Sequence, residues 1–78
     1  MPRKEETKEM EKDNIIGINV RVARIKKGMT QAELAEKAGV ALSTVSFVET
    51  GKHADSRALT LSKLANALGV SVESLFQV

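Results

Sequence analysis

Glycines at positions 28, 39, 51 and 69 cut the chain after Ile15 into short stretches, and within each stretch apolar residues recur at spacings of three and four. A glycine just past an apolar stripe of that period is a helix-stop signal, because the residue beyond the last turn often adopts a left-handed conformation that only glycine takes at no cost. Nothing alternates with period two for long enough to make a strand, so the pattern predicts an all-α domain of short helices. The chain has only 78 residues, enough for a single small core, and large enzyme folds are excluded by length alone.

Five helices are expected. The first covers about 15 to 27, with Ile16, Val20 and Ala23 on one stripe, and stops at Gly28. The second begins after Thr30, where Thr30-Gln-Ala-Glu33 has the form of a capping box, each end satisfying a free backbone amide of the other. Leu34, Ala35 and Ala38 form its inner face and Gly39 ends it. A third helix, about 42 to 50, turns Val45, Val48 and Glu49 inward. A fourth opens at Asp55 or Ser56 and buries Leu61, Leu64, Ala65 and Leu68, the i, i+3, i+4, i+7 pattern of an amphipathic helix. A final short helix, capped by Ser71, carries Val72, Leu75 and Phe76. Residues 1 to 14 contain nine charges and are read as a charged flexible tail, since they lack the apolar surface to offset ordering entropy. The compact helical domain then occupies 15 to 78.

Two short helices joined by three or four residues can cross steeply only where their contact residues are small and the corner holds a glycine. Residues 31 to 48 meet that demand with Ala35 and Gly39, and Leu34, Ala38, Val40, Val45 and Val48 fall where apolar anchors are needed. The segments Gly28-Met-Thr-Gln-Ala-Glu-Leu-Ala-Glu-Lys-Ala-Gly-Val40, Ser43-Thr-Val-Ser46, Glu49-Thr-Gly-Lys52 and Leu64-Ala-Asn-Ala-Leu-Gly-Val-Ser71 resemble the Cro and phage-repressor (XRE) type helix-turn-helix family. The resemblance spans residues 16 to 76. It implies a lambda-repressor-like domain that, usually as a dimer, lays its third helix in the major groove of DNA and regulates transcription.

Carried over by position, the resemblance assigns phosphate contacts to Gln31, Thr50 and Lys52, with Arg57 as an addition; His53, alone in its loop, reads as solvated. Base reading falls to Ala41, Leu42, Ser43, Thr44 and Phe47. Here the chain departs from strong readers: bidentate recognition of guanine or adenine needs Arg, Lys, Asn or Gln, and none lies between 41 and 50. Single hydrogen bonds from Ser43 and Thr44, thymine-methyl contacts and DNA shape remain. The same apolar pair, Leu42 and Phe47, admits a different use, as the contact of a protein-interaction module that binds another regulator.

Two charges interrupt apolar stripes. Arg24 continues the inner stripe of the first helix and Glu49 that of the third, and since charges on inner faces rarely stay unpaired, they are expected to bond each other. A second stripe, Ile18, Val22 and Ile25, runs along the first helix away from the core and, with Phe76 and Val78, is a candidate dimer contact. Residues 1 to 14 hold four bases and five acids, net −1; the remainder holds eight bases and five acids, net +3. A basic domain is compatible with double-stranded DNA as partner.

Other chemistry is poorly served. With no cysteine and a single histidine, His53, neither a disulfide nor a usual protein zinc site is expected. No nucleophile has a base and an orienting partner, so catalysis, cofactor and small-molecule ligand are not expected. The charged N-terminus and the lack of a long apolar run predict a cytoplasmic protein without a membrane anchor.

Overall fold

The computed structural model describes the backbone over residues 4 to 50 and 58 to 77, and side chains from Ile15 onward. Its elements are helices α1 (Lys4–Lys26), α2 (Gln31–Ala38), α3 (Leu42–Thr50) and α4 (Ala58–Leu68), followed by a 3-10 turn over Glu73–Phe76. No strand occurs among the described residues, and no helix of the structure is long and apolar enough to cross a membrane.

Sequence and structure differ at both ends. From Lys4 to Asn14 the chain is helical where a flexible tail is expected, so α1 starts well before Ile15. That segment is rich in Lys and Glu, straight-chain residues that lose little rotamer freedom in a helix, and it feeds directly into a helix already anchored by the core. The expected fifth helix is the single 3-10 turn, which the Ser71 hydroxyl opens by accepting from the Ser74 N–H at 3.3 Å. The proposed caps of α4, Asp55 and Ser56, lie outside the described residues.

The capping box at α2 is complete. The Glu33 N–H donates to the Thr30 hydroxyl at 3.1 Å, and the Thr30 N–H donates to the Glu33 carboxylate at 2.9 Å. Hydrogen bonding of the Glu33 carboxylate by the Thr30 backbone N–H first, and by the Thr30 hydroxyl second, holds that carboxyl below its ordinary pKa. At the other end Gly39 sits at φ 72°, in the left-handed region. Its N–H reaches the Glu36 carbonyl at 3.2 Å and the next residue, Val40, reaches back to Ala35 at 3.0 Å. This pairing satisfies carbonyls the helix leaves open, and it turns Val40 onto the core as the accompanying apolar contact. The same exit is repeated after α4, with Val70 folded back in the role of Val40.

One core results. Ile16 and Val20 from α1, Leu34 and Ala35 from α2, Val45 and Val48 from α3, Leu61, Leu64, Ala65, Ala67 and Leu68 from α4, and Leu75 from the 3-10 turn are buried together. Leu75 is drawn in by a latch: the Asn19 side-chain amide donates to the carbonyl oxygens of Leu75 at 2.9 Å and Gln77 at 2.7 Å. Helix α1 thus packs on α3 on one side and on the C-terminal turn on the other.

Candidate nucleic-acid interface

The corner between α2 and α3 is three residues long, Gly39-Val40-Ala41, and the left-handed Gly39 redirects the chain so that α3 crosses α2 rather than continuing it. Val45 and Val48 point into the core from one side of α3. Its other side is open: Ala41, Leu42, Ser43 and Phe47 are exposed, and Thr44 and Ser46 are half-buried. Leu42 is 51% and Phe47 50% exposed, so two large apolar side chains face solvent on a helix of nine residues. At the start of α3, the Ala41 carbonyl accepts from the Thr44 and Val45 amides, but alanine offers no side-chain oxygen to cap the remaining ones.

What holds α3 in this pose is a polar clamp. Arg24 of α1 donates to both carboxylate oxygens of Glu49 on α3, Nε to Oε2 at 2.7 Å and Nη2 to Oε1 at 3.1 Å, while its Nη1 donates to the Met29 carbonyl at 2.8 Å. The fork geometry of arginine allows this paired contact, which a lysine point charge would not reproduce. Both side chains are nearly out of solvent, 13% exposed for Arg24 and 3% for Glu49. The hydrogen bonds to Glu49 raise the pKa of the guanidinium above its already high value; burial opposes this, and the charge of Glu49 adds to it. Gln31, the first residue of α2, completes the clamp by donating from Nε2 to Glu49 Oε1 at 3.2 Å. One buried carboxylate therefore ties together α1, the start of α2 and the end of α3.

Gln31 is half-buried, and one of its two amide N–H groups is committed to Glu49, leaving the second without a partner among the described residues. Thr50 is exposed, and its hydroxyl donates to the Phe47 carbonyl at 3.1 Å. Lys52, His53 and Arg57 lie outside the described residues, as does Val78. Away from this face, Ile18, Val22 and Ile25 are 43 to 56% exposed along α1, and Phe76 is 53% exposed, so the C-terminal turn leaves that stripe largely open.

Two participants were not singled out by sequence reasoning. Asn19 is one, and its signal is a lone amide flanked by apolar residues on α1. The other is Gly17, whose neighbours are backbone: a Cβ built on it would lie 2.6 Å from the Val48 carbonyl oxygen and 2.8 Å from that of Glu49. Here α1 rests directly against the last turn of α3.

A short helix anchored by its inner valines and by Glu49, standing outward beyond a glycine corner, defines a helix-turn-helix domain. Residues 20–75 match the helix-turn-helix family. The chain belongs to that family, in its Cro and phage-repressor (XRE) branch. Among its relatives, an uncharacterized HTH-type transcriptional regulator of Archaeoglobus fulgidus is 44% identical over 57 residues, which are 73% of this chain and 80% of that protein. The HTH-type transcriptional regulator SinR of Bacillus subtilis is 39% identical over 61 residues, 78% of this chain; the match spans only 55% of SinR. Of solved structures, SinR in complex with DNA superposes with a TM-score of 0.75 at 39% identity, covering 80% of this chain and 98% of that one. The restriction-modification controller protein C.AhdI of Aeromonas hydrophila superposes at 0.77 with 33% identity, covering 82% and 96%.

Proposed function

We propose that this protein is a sequence-specific double-stranded DNA-binding regulator of transcription, a repressor or autoregulator that works in the cytoplasm as a homodimer, by binding rather than by catalysis. The observation that carries this reading is the open face of α3 on a helix tied down by the part-buried clamp of Arg24, Gln31 and Glu49. A helix free on one side and immobilised on the other is the shape that enters a major groove about 12 Å wide. The relatives' names and the SinR–DNA complex support the same role.

In this reading Leu42, Ser43, Thr44 and Phe47, with Ala41 at the helix start, face base edges. Ser43 and Thr44 make single hydrogen bonds, and Leu42 and Phe47 meet thymine methyls, so T-rich steps and groove shape carry the preference. The second N–H of Gln31 Nε2 bonds a phosphate while the first stays on Glu49, which links the DNA backbone to the clamp. Thr50, Lys52 and Arg57 hold neighbouring phosphates. The α1 stripe of Ile18, Val22 and Ile25, with Phe76 and Val78, supplies the dimer contact, and a two-fold dimer sets its α3 helices about 34 Å apart along the duplex.

Selection from a random duplex pool should return a two-fold symmetric, T-rich consensus. On that duplex, log affinity should fall linearly with log salt, and Lys52→Ala should weaken all sequences alike while shallowing the slope by about 1. An unchanged slope removes Lys52 from the contact set. The half-exposed Leu42 and Phe47 favour a second reading, a module that grips another regulator through this face. Phe47→Ser separates the two: a DNA reader loses sequence preference and keeps salt-dependent association, whereas a protein-binding module shows no such association before or after the change.

A further inference from the structure

Helix α1 meets the end of α3 at two places. One is the tie between Arg24 and Glu49. The other, seven residues earlier on α1 and thus about 10 Å away on nearly the same face, is the bare contact of Gly17 with the Val48 and Glu49 carbonyls. The two have different physics. Hydrogen bonds between side chains limit how far α3 drifts from α1, while backbone against backbone limits how near it comes. Val48 and Glu49 form the last turn of α3, immediately before Thr50. A displacement at this point therefore swings the helix that carries Leu42, Ser43 and Phe47.

The contact also has no slack. Any Cβ at position 17 would fall below 3.0 Å from two backbone oxygens, and backbone cannot rotate aside as a side chain does. To bring the closer oxygen from 2.6 Å out to 3.0 Å, α3 must retreat by at least about 0.4 Å. The other glycines with described surroundings differ: nothing lies near a Cβ built on Gly28 or Gly39, and at Gly69 the neighbour is the flexible end of Lys27. Those glycines serve backbone conformation. Gly17 serves distance.

From this we propose that Gly17 is a positioning residue for sequence reading: without touching DNA, it sets the depth and tilt at which α3 enters the groove. The proposal rests on the DNA-binding reading of α3. Base contacts are short and directional, so a shifted helix loses them while longer-range attraction to phosphates survives.

The experiment compares Gly17→Ala with Leu61→Val, a buried change on α4 that alters neither position 17 nor the Arg24–Glu49 tie, in the full chain. Both are titrated against the selected consensus duplex and against a scrambled duplex of equal length, at a low temperature where far-UV circular dichroism shows each folded. The expected result is a fall of about 10-fold or more in consensus affinity for Gly17→Ala, with scrambled-duplex affinity within about threefold of wild type; one or two single hydrogen bonds lost together are worth that much. Leu61→Val should keep the full preference. Should Gly17→Ala be partly unfolded in buffer, the same titrations in trimethylamine N-oxide, which favours the folded state by exclusion from protein surface, read the same ratio. A folded Gly17→Ala chain that keeps the wild-type ratio of consensus to scrambled affinity overturns the proposal, as does an equal loss in Leu61→Val. If wild type itself binds no duplex, it is the DNA-binding reading that fails, and the two failures are distinct.

Discussion

Replacing Arg24 by alanine tests the clamp directly. In the wild-type chain Glu49, 3% exposed, receives two bonds from Arg24 and one from Gln31. Alanine removes two of these three and deprives the Met29 carbonyl of its donor at 2.8 Å. Breaking a buried pair from one side costs about 3 to 5 kcal/mol, because the surviving charge has neither water nor partner. Gln31 remains, and Arg24 itself keeps some contact with solvent, so the lower end, about 3 kcal/mol, is the expected loss. For a chain of this length, with a total stability of about 4 to 12 kcal/mol, that is a large share. It corresponds to a melting temperature lowered by roughly 12 to 24 °C. With no Trp or Tyr in the chain, urea melts are best followed by far-UV circular dichroism. The double variant Arg24→Met, Glu49→Leu should recover most of the loss, since an apolar pair carries no desolvation cost. If Arg24→Ala costs under about 0.5 kcal/mol, or if the losses from the two positions merely add in a double-mutant cycle, Glu49 is not held as described.

Three further outcomes follow from other contacts. Glu33 has a lowered carboxyl pKa in the folded state, so its capping bonds stabilise the protein above the unfolded value near ~4.3 and that contribution fades as pH falls through the lower folded value. Glu33→Gln should flatten this part of the acid limb in melts below about pH 4.3, and an identical pH profile would remove Glu33 from it. Ala41→Ser adds the missing cap oxygen at the start of α3 and should raise stability by about 0.5 to 1 kcal/mol in urea melts; no gain means the α3 amides are already satisfied. Val22→Glu, in the middle of the open stripe on α1, should leave the circular dichroism spectrum intact and convert a sedimenting dimer to monomer, whereas an unchanged sedimentation coefficient would move the dimer contact elsewhere.

Much of this arrangement is written locally. The helix ends at Gly28, Gly39 and Gly69, all at positive φ, follow from short-range rules about which residue takes that conformation. So does the Thr30 capping box, whose partners are three residues apart. Arg24 and Glu49 stand out because each is a charge on an otherwise apolar stripe, and the structure brings them together. Gly17 and Asn19 are different. A glycine inside a helix reads as a mild defect until a neighbouring backbone is known to lie against it, and the partners of Asn19 are 56 and 58 residues distant along the chain. The helical state of residues 4 to 14 is hard to read from sequence for the opposite reason: the segment lacks an apolar stripe, and weak propensities count only once an anchored helix supplies the nucleus.

The two sides of α3 answer to separate demands, and this has a practical consequence. Val45, Val48 and Glu49 face the body of the protein, while Leu42, Ser43 and Phe47 are exposed. New outward residues can therefore be grafted between the fixed ones, and, on the proposed DNA-binding role, a library varied at those three positions alone explores alternative targets on one chassis.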